Sequence, residues 1–212
     1  MSVSVTQQKQ FIAGEFVESS SGETMEVISP ATGEIIAEVP RGTAADVDLA
    51  VAAAKSAWAE WQDKTPKDRM ELLLSLADVI DENADELARL ESLNVGKPWW
   101  VAKDEPPAMS DCLRFFAGAA RNLEGKSAGE YVEGYTSIIR REPLGIVAGI
   151  CPWNYPLFMA VWKMGPALAA GNVQIGEDTV RLEVTLPWLL HKFGLAVQRT
   201  VEGRGRILLE KK

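Results

Sequence analysis

The chain has 212 residues, 47% hydrophobic and 25% charged, a balance that excludes wholesale disorder and a disulfide-dense scaffold. A formal net charge of −8 opposes generic binding to nucleic-acid phosphates or anionic membranes. Two separated cysteines, Cys112 and Cys151, and a single histidine, His191, supply neither a CxxC pair nor a two-histidine metal site, so no metal centre is expected.

No apolar run approaches the ~18 residues that span a bilayer, and the opening MSVSVTQQKQ lacks the regions of a secretory signal. The expected location is cytoplasmic, with neither membrane nor nucleic acid as a partner. Short β-favouring runs come first, at residues 11–13, 16–18, 25–28 and 35–39, separated by Gly14, the 19–22 stretch and SPATG at 29–33. Turn chemistry between such runs predicts hairpins.

Thr43 with Asp46 three residues on predicts a helix start, and Val47, Ala50, Val51, Ala54, Trp58 and Trp61 follow at helical spacing. A second start lies at Thr65, with Pro66 in the first turn and Asp68 at the third position. Met70, Leu73, Leu74, Ala77, Ile80, Ala84, Leu87 and Leu90 give this helix one continuous apolar face. Gly96 and Pro98 should end it, because Gly accepts the left-handed cap and Pro lacks the next amide.

A third helix is predicted from Pro106 and Pro107, carrying Leu113, Phe115, Phe116 and Ala120. Residues 135–140 alternate like an edge or interface strand, whereas 145–150 are apolar enough to predict a buried strand. Pro156 is placed to start a helix and Gly171 to stop it. The fold class is therefore α/β, with a strand feeding a helix through residues 151–154, the unit whose strand ends present ligand-binding loops.

The segment GIVAGICPWNYP at 145–156, then Trp162-Lys163 and GPALAAGN at 165–172, resembles the PWN[FY]P…WK…PALAxGN block of the aldehyde dehydrogenase superfamily. SPATG at 29–33, Glu91 with Gly96-Lys97-Pro98, and the Phe-rich 115–121 stretch are similar to that family in the same order. RFFAGAAR at 114–121 and GEYVEG at 129–134 look most like its aminobutyraldehyde members. The resemblance covers residues 10–172 and implies the N-terminal part of such a domain, with an incomplete cofactor-binding unit and an oligomerisation-type strand segment at about 131–143.

The resemblance implies oxidation of a small aldehyde, 4-aminobutanal among the candidates, to its acid with NAD or NADP. Asn154 matches the family's oxyanion donor. Ile150, Cys151, Pro152 and Trp153 match the loop beside the cofactor; Tyr155, Met159 and Trp162 match the aldehyde tunnel, and Lys163 a lysine near the catalytic chamber. Core packing is the competing reading for each of these aromatic and Met residues. Asn154 escapes it best, since an amide within so apolar a run needs partners. Glu105 or Asp111 would suit a substrate amine, against the blander reading of a solvated helix face.

Beyond Asn172 the pattern departs. Val173 to Ile175 continues as a strand, but the family's Lys-Pro turn is replaced by Gly176-Glu177-Asp178, and nothing later in the chain matches the general-base glutamate or the Gln-x-Cys nucleophile. Residues 173–212 hold seven Lys and Arg against five Asp and Glu, a net of +2, against −10 for 1–172. They are expected to form a divergent tail separate from a 1–172 unit. Cys151 reads as a packed small side chain rather than a substitute nucleophile. Three readings result: an aldehyde-oxidising enzyme by descent that is inactive alone, an assembly module pairing with itself or with full-length subunits through the 135–140 strand, or a nonfunctional truncated product.

Overall fold

A computed structural model describes residues 6–176. Strands β1 (Thr6–Gln7), β2 (Gln10–Ile12), β3 (Glu15–Val17), β4 (Thr24–Ile28) and β5 (Ile35–Pro40) come first. Both predicted hairpins form: β2 pairs antiparallel with β3, and β4 with β5. In addition, β1 lies parallel to β5, a pairing that two residues of sequence do not advertise.

Helix α1 (Ala44–Trp61) begins at Thr43, whose side chain and Asp46 cap each other's amides reciprocally. The Asp46 carboxylate also accepts from the Ser20 amide at 2.9 Å and the Ser19 hydroxyl at 3.1 Å, which fastens the hairpin loop to the helix start. Burial alone would raise this carboxyl. Hydrogen bonds from the Thr43 and Ser20 amides and the Thr43 and Ser19 hydroxyls overcome that and lower its pKa to about 2.

The long helix expected from Thr65 is broken at Asn83 into α2 (Pro66–Glu82) and α3 (Ala84–Val95). Asn83 leaves helical geometry at φ −112° and ψ 16°, its side-chain amide donating to the Val79 carbonyl at 2.8 Å, so the chain turns while the apolar residues stay in phase. Within α2 the buried face is Leu73, Leu76, Ala77 and Ile80, three and four residues apart, which leaves Leu74 facing outward, where the sequence pattern puts it on the apolar face. Gly96 then ends α3 at φ +76°, as its cap position requires.

A short α4 (Trp99–Ala102) precedes α5 (Glu105–Ala120), which starts on the Pro pair as expected. The core lies among α2, α5 and α6 (Pro156–Ala169), with Leu73, Ile80, Met109, Leu113, Leu157 and Val161 nearly inaccessible, and Leu87 of α3 joins it. Burying each such side chain contributes roughly 1.5–3 kcal/mol, which makes this three-helix layer the mechanical base of the site.

Strand β6 (Lys126–Val132), which the sequence pattern does not announce, pairs antiparallel with β7 (Tyr135–Ile139) in an exposed hairpin. Strand β8 (Ile146–Gly149) is only half-buried, where its apolar run predicts full burial. Among the described residues its only strand partner is β9 (Val173–Gly176), which lies parallel to it, so one edge lacks a neighbour. Strand β9 begins directly after residue 172 and belongs to the same two-stranded sheet as β8.

The turn joining α6 to β9 is tightly specified. Gly171 has φ +86°, and a Cβ there would come within 2.7 Å of the Arg69 guanidinium and 2.9 Å of Pro143. Buried Arg69 donates to the carbonyls of Lys64 and Ala169, capping the end of α6 with a cation. Asn172 accepts from the Gly145 amide at 2.9 Å and so ties the start of β8 to the start of β9.

Candidate functional site

The βαβ unit β8–α6–β9 places residues 150–155 as a loop at the C-terminal end of β8, leading into the N-terminus of α6. Pro156 supplies the fixed φ of a first helical turn, and the Met159 amide closes that turn on the Tyr155 carbonyl at 2.9 Å. The Tyr155 side chain makes no capping hydrogen bond, and the positive end of the α6 dipole lies at the loop.

The loop presents its candidate residues outward. Ile150 is 70% and Trp153 62% exposed, and Pro152, Asn154 and Tyr155 are exposed as well. Cys151 is the exception and is buried. The apolar surroundings of Asn154 in sequence suggest an amide that must find buried partners. In the fold it sits on a solvated turn, available to a ligand.

Along α6, Met159 and Lys163 are half-buried, and Trp162 is half-exposed with its ring 5.2 Å from that of Phe158. Cys151 aside, the expected loop and tunnel residues thus run from the end of β8 along the partly exposed flank of α6. Cys112 lies in the middle of α5, where burial and the Asp111 charge raise its thiol above the usual range. It is a poor nucleophile there. His191 lies outside the described residues.

This run of residues is backed by an ionic group that sequence reasoning did not assemble. Lys97 Nζ lies 2.6 Å from Glu91 Oε1 and 2.6 Å from Glu105 Oε1, and 3.6 Å from the centre of the Tyr155 ring. Glu91 is only 2% exposed and Glu105 is buried too. Burial drives the Glu91 carboxyl up to about 7, Lys97 opposing the shift and Glu105 adding to it. Glu105 is therefore committed to Lys97, which removes it as a holder of a substrate amine; Asp111 stays exposed on α5.

One sequence signal does point to this group: Leu87, Leu90, Glu91 and Asn94 share the buried face of α3, and two polar residues on an apolar face demand partners. Among the described residues, no group of three or more His, Cys, Asp or Glu side chains is placed to hold a metal ion. No described helix is long and apolar enough to cross a membrane.

Comparison with known proteins bears on the family and the fold. The model of the Aldehyde dehydrogenase family matches residues 16–186, extending past Asn172, where the motif resemblance stops. An aldehyde dehydrogenase of Alternaria alternata is 43% identical over 167 residues, 78% of this chain and 33% of the relative. Among solved structures, 3,6-anhydro-L-galactose dehydrogenase superposes with a TM-score of 0.85 at 30% identity, covering 91% of this chain and 40% of that one. PnpE in complex with nicotinamide adenine dinucleotide superposes with a TM-score of 0.82 at 40% identity, covering 92% and 39%. The chain spans about a third of the length of the curated relatives it matches, and it belongs to the aldehyde dehydrogenase family.

Proposed function

We propose that residues 150–163 form the oxyanion and tunnel side of an active site that oxidises an aldehyde to its carboxylic acid with NAD or NADP. The observation that carries this reading is Asn154 itself, a side-chain amide exposed on a turn between a strand end and a helix start. Such an amide is available to donate to the oxygen that becomes negative when a nucleophile adds to the carbonyl. In the family's chemistry that nucleophile is a cysteine thiolate, and a glutamate activates the water that releases the acid.

The residues present fit one flank of a dinucleotide. Ile150, Pro152 and Trp153 are exposed at the C-terminal end of β8, beside a parallel neighbour and the N-terminus of α6, where α/β sheets receive ligands. A bound nicotinamide would accept the hydride that the aldehyde carbon loses. The relative PnpE, in complex with nicotinamide adenine dinucleotide, supports the choice of cofactor class. Tyr155, Met159 and Trp162 would wall the aldehyde's approach, and Lys163 stands at the far end of that run.

Residues 114–121 and 129–134 support the finer reading of an amino aldehyde such as 4-aminobutanal. The test is a full-length aldehyde dehydrogenase carrying residues 10–172 of this chain, assayed for reduced cofactor with 4-aminobutanal and with butanal. Asn154→Ala should lower kcat roughly 100- to 1000-fold while cofactor affinity holds. An unchanged kcat would sink the oxyanion assignment, and equal kcat/KM for the two aldehydes would sink the amino-aldehyde reading.

A second reading, an assembly surface, is supported by the β6–β7 hairpin, where Tyr131, Val132, Tyr135, Ile138 and Ile139 are all exposed. Strands that present this much apolar surface suit pairing with a second copy or with a full-length subunit. Co-expression with a full-length relative followed by size exclusion decides it: co-elution is expected, and complete separation removes the reading.

A further inference from the structure

The Tyr155 ring is the only side chain of the 152–155 turn seen to make a specific contact with another element among the described residues, and the group it meets is the Lys97 ammonium. An ammonium has three donors and no acceptor; here two directions are taken by Glu91 on α3 and Glu105 on α5, and the ring takes the side that remains. The lysine side chain is 10% exposed, so little water competes for it.

Its backbone is equally constrained. Gly96 precedes it in the left-handed conformation, packed so that a Cβ would come within 2.8 Å of the Pro30 ring, and Pro98 follows it with fixed φ. The Ser92 hydroxyl donates to the Lys97 carbonyl at 2.7 Å. Nζ is thus a fixed point set by three helices, and it bears on the residue adjacent to Asn154.

We propose that Lys97 is a positioning residue for Asn154: its ammonium, locked by Glu91 and Glu105, braces the Tyr155 ring and thereby holds the turn that presents the Asn154 amide. The inference rests on the oxyanion reading of Asn154 for its consequence, though the contact that carries it does not. Tyr155 sits at the N-cap of α6 without a capping hydrogen bond from its own side chain, so the ring rather than the phenol oxygen is the tether. An ion group that merely joined α3 to α5 would have no reason to face the loop, and its loss would leave the turn where it is.

The test uses the whole chain and nuclear magnetic resonance. The Asn154 side-chain amide pair is assigned by its disappearance in Asn154→Ala, and the Lys97 ε-methylene by its disappearance in Lys97→Met. Ring current should place the Lys97 ε-protons upfield of the other lysines. Tyr155→Phe should keep that shift and the Asn154 pair in place, and Tyr155→Leu should abolish the first and move the second toward the position of a solvated asparagine.

Lys97→Met should move the Asn154 pair likewise, and Lys97→Met with Tyr155→Leu should move it no further than either change alone. The proposal is overturned if Tyr155→Leu leaves the Asn154 pair unmoved, or if the two effects simply add. Should Lys97→Met fail to fold, the Phe and Leu variants at Tyr155, which keep the ion group intact, still decide. Failure of the oxyanion reading registers separately, as an unchanged kcat on Asn154→Ala in the grafted enzyme.

Discussion

Asp46 and Glu91 are both almost completely buried, at 1% and 2% exposed, and they reach opposite ends of the carboxyl titration range. Asp46 sits where the N-terminal hairpins meet α1 and accepts from two amides and two hydroxyls. Its charge is dispersed over four donors, and it stays ionised down to about pH 2. Glu91 sits where α3 meets α5 and shares a single ammonium with a second carboxylate, while its other oxygen lacks a partner among the described residues. Burial there outweighs pairing. The lesson is that an inaccessible acid keeps its charge when several donors converge on it and the protein packed around it is thin, and loses it when donors are few and the packing is deep.

The strongest way to break this comparison is Asp46→Ala, which strands the amides of Ser20 and Thr43 and the capping contact together. A loss of about 3 kcal/mol is expected, read by urea denaturation near neutral pH. Because folding lowers this pKa from 3.8 to about 2, the stabilisation is present above 3.8 and is lost as pH falls through about 2.

Glu91 should show the opposite sign. Its folded pKa is raised, so the folded state holds the proton more tightly, and stability should fall as pH rises from 4.5 through about 7. The groups facing it are Lys97 and Glu105. The fall should be on the order of 2 kcal/mol, and Glu91→Gln should flatten it, keeping an acceptor for Lys97 without a charge to bury. A wild-type stability that is level across this window would contradict the assignment.

The comparison is sharpened by Asp68, which builds the same reciprocal cap with Thr65 at the start of α2 but in an exposed setting. Asp68→Ala should cost about 1 kcal/mol, well short of Asp46→Ala, with melting temperature as the readout. Smallest of all should be Arg114→Ala: its guanidinium reaches Asp78 at 2.9 Å and Asp81 at 2.7 Å across open surface, and such contacts contribute under about 1 kcal/mol each. A large effect there would mean that exposure does not discount ion pairs in this fold.

Legibility from sequence tracks the range of the interaction. Thr43 with Asp46, Thr65 with Pro66 and Asp68, and Gly96 are read correctly because each motif completes itself within a few residues. The break at Asn83 is not legible, because Ala84, Leu87 and Leu90 continue in phase with Ile80 and hide the turn. Strand β6 is missed because Lys126–Val132 carries little β-favouring character and depends on β7 for its pairing.

The site divides in the same way. Its loop is legible as a contiguous motif running from Ile150 to Lys163, whereas Lys97 comes to Tyr155 from 58 positions away through the packing of α3, α4 and α5. Periodicity could have flagged Glu91 and Asn94 on the buried face of α3. It could not have told which cation answers them.

The hydrogen bond from the Gly145 amide to the Asn172 side chain stands one step before the first paired residues, Ile146 with Val173. A side chain there does what a ladder bond would do, so the alignment of the two parallel strands is decided before either strand begins. Replacing residues beyond Asn172 with others that accept an extended backbone would therefore change how far the sheet runs while leaving its alignment intact. Evolutionary or engineered exchange of the chain beyond that asparagine is, in this architecture, a splice made downstream of a fixed clasp.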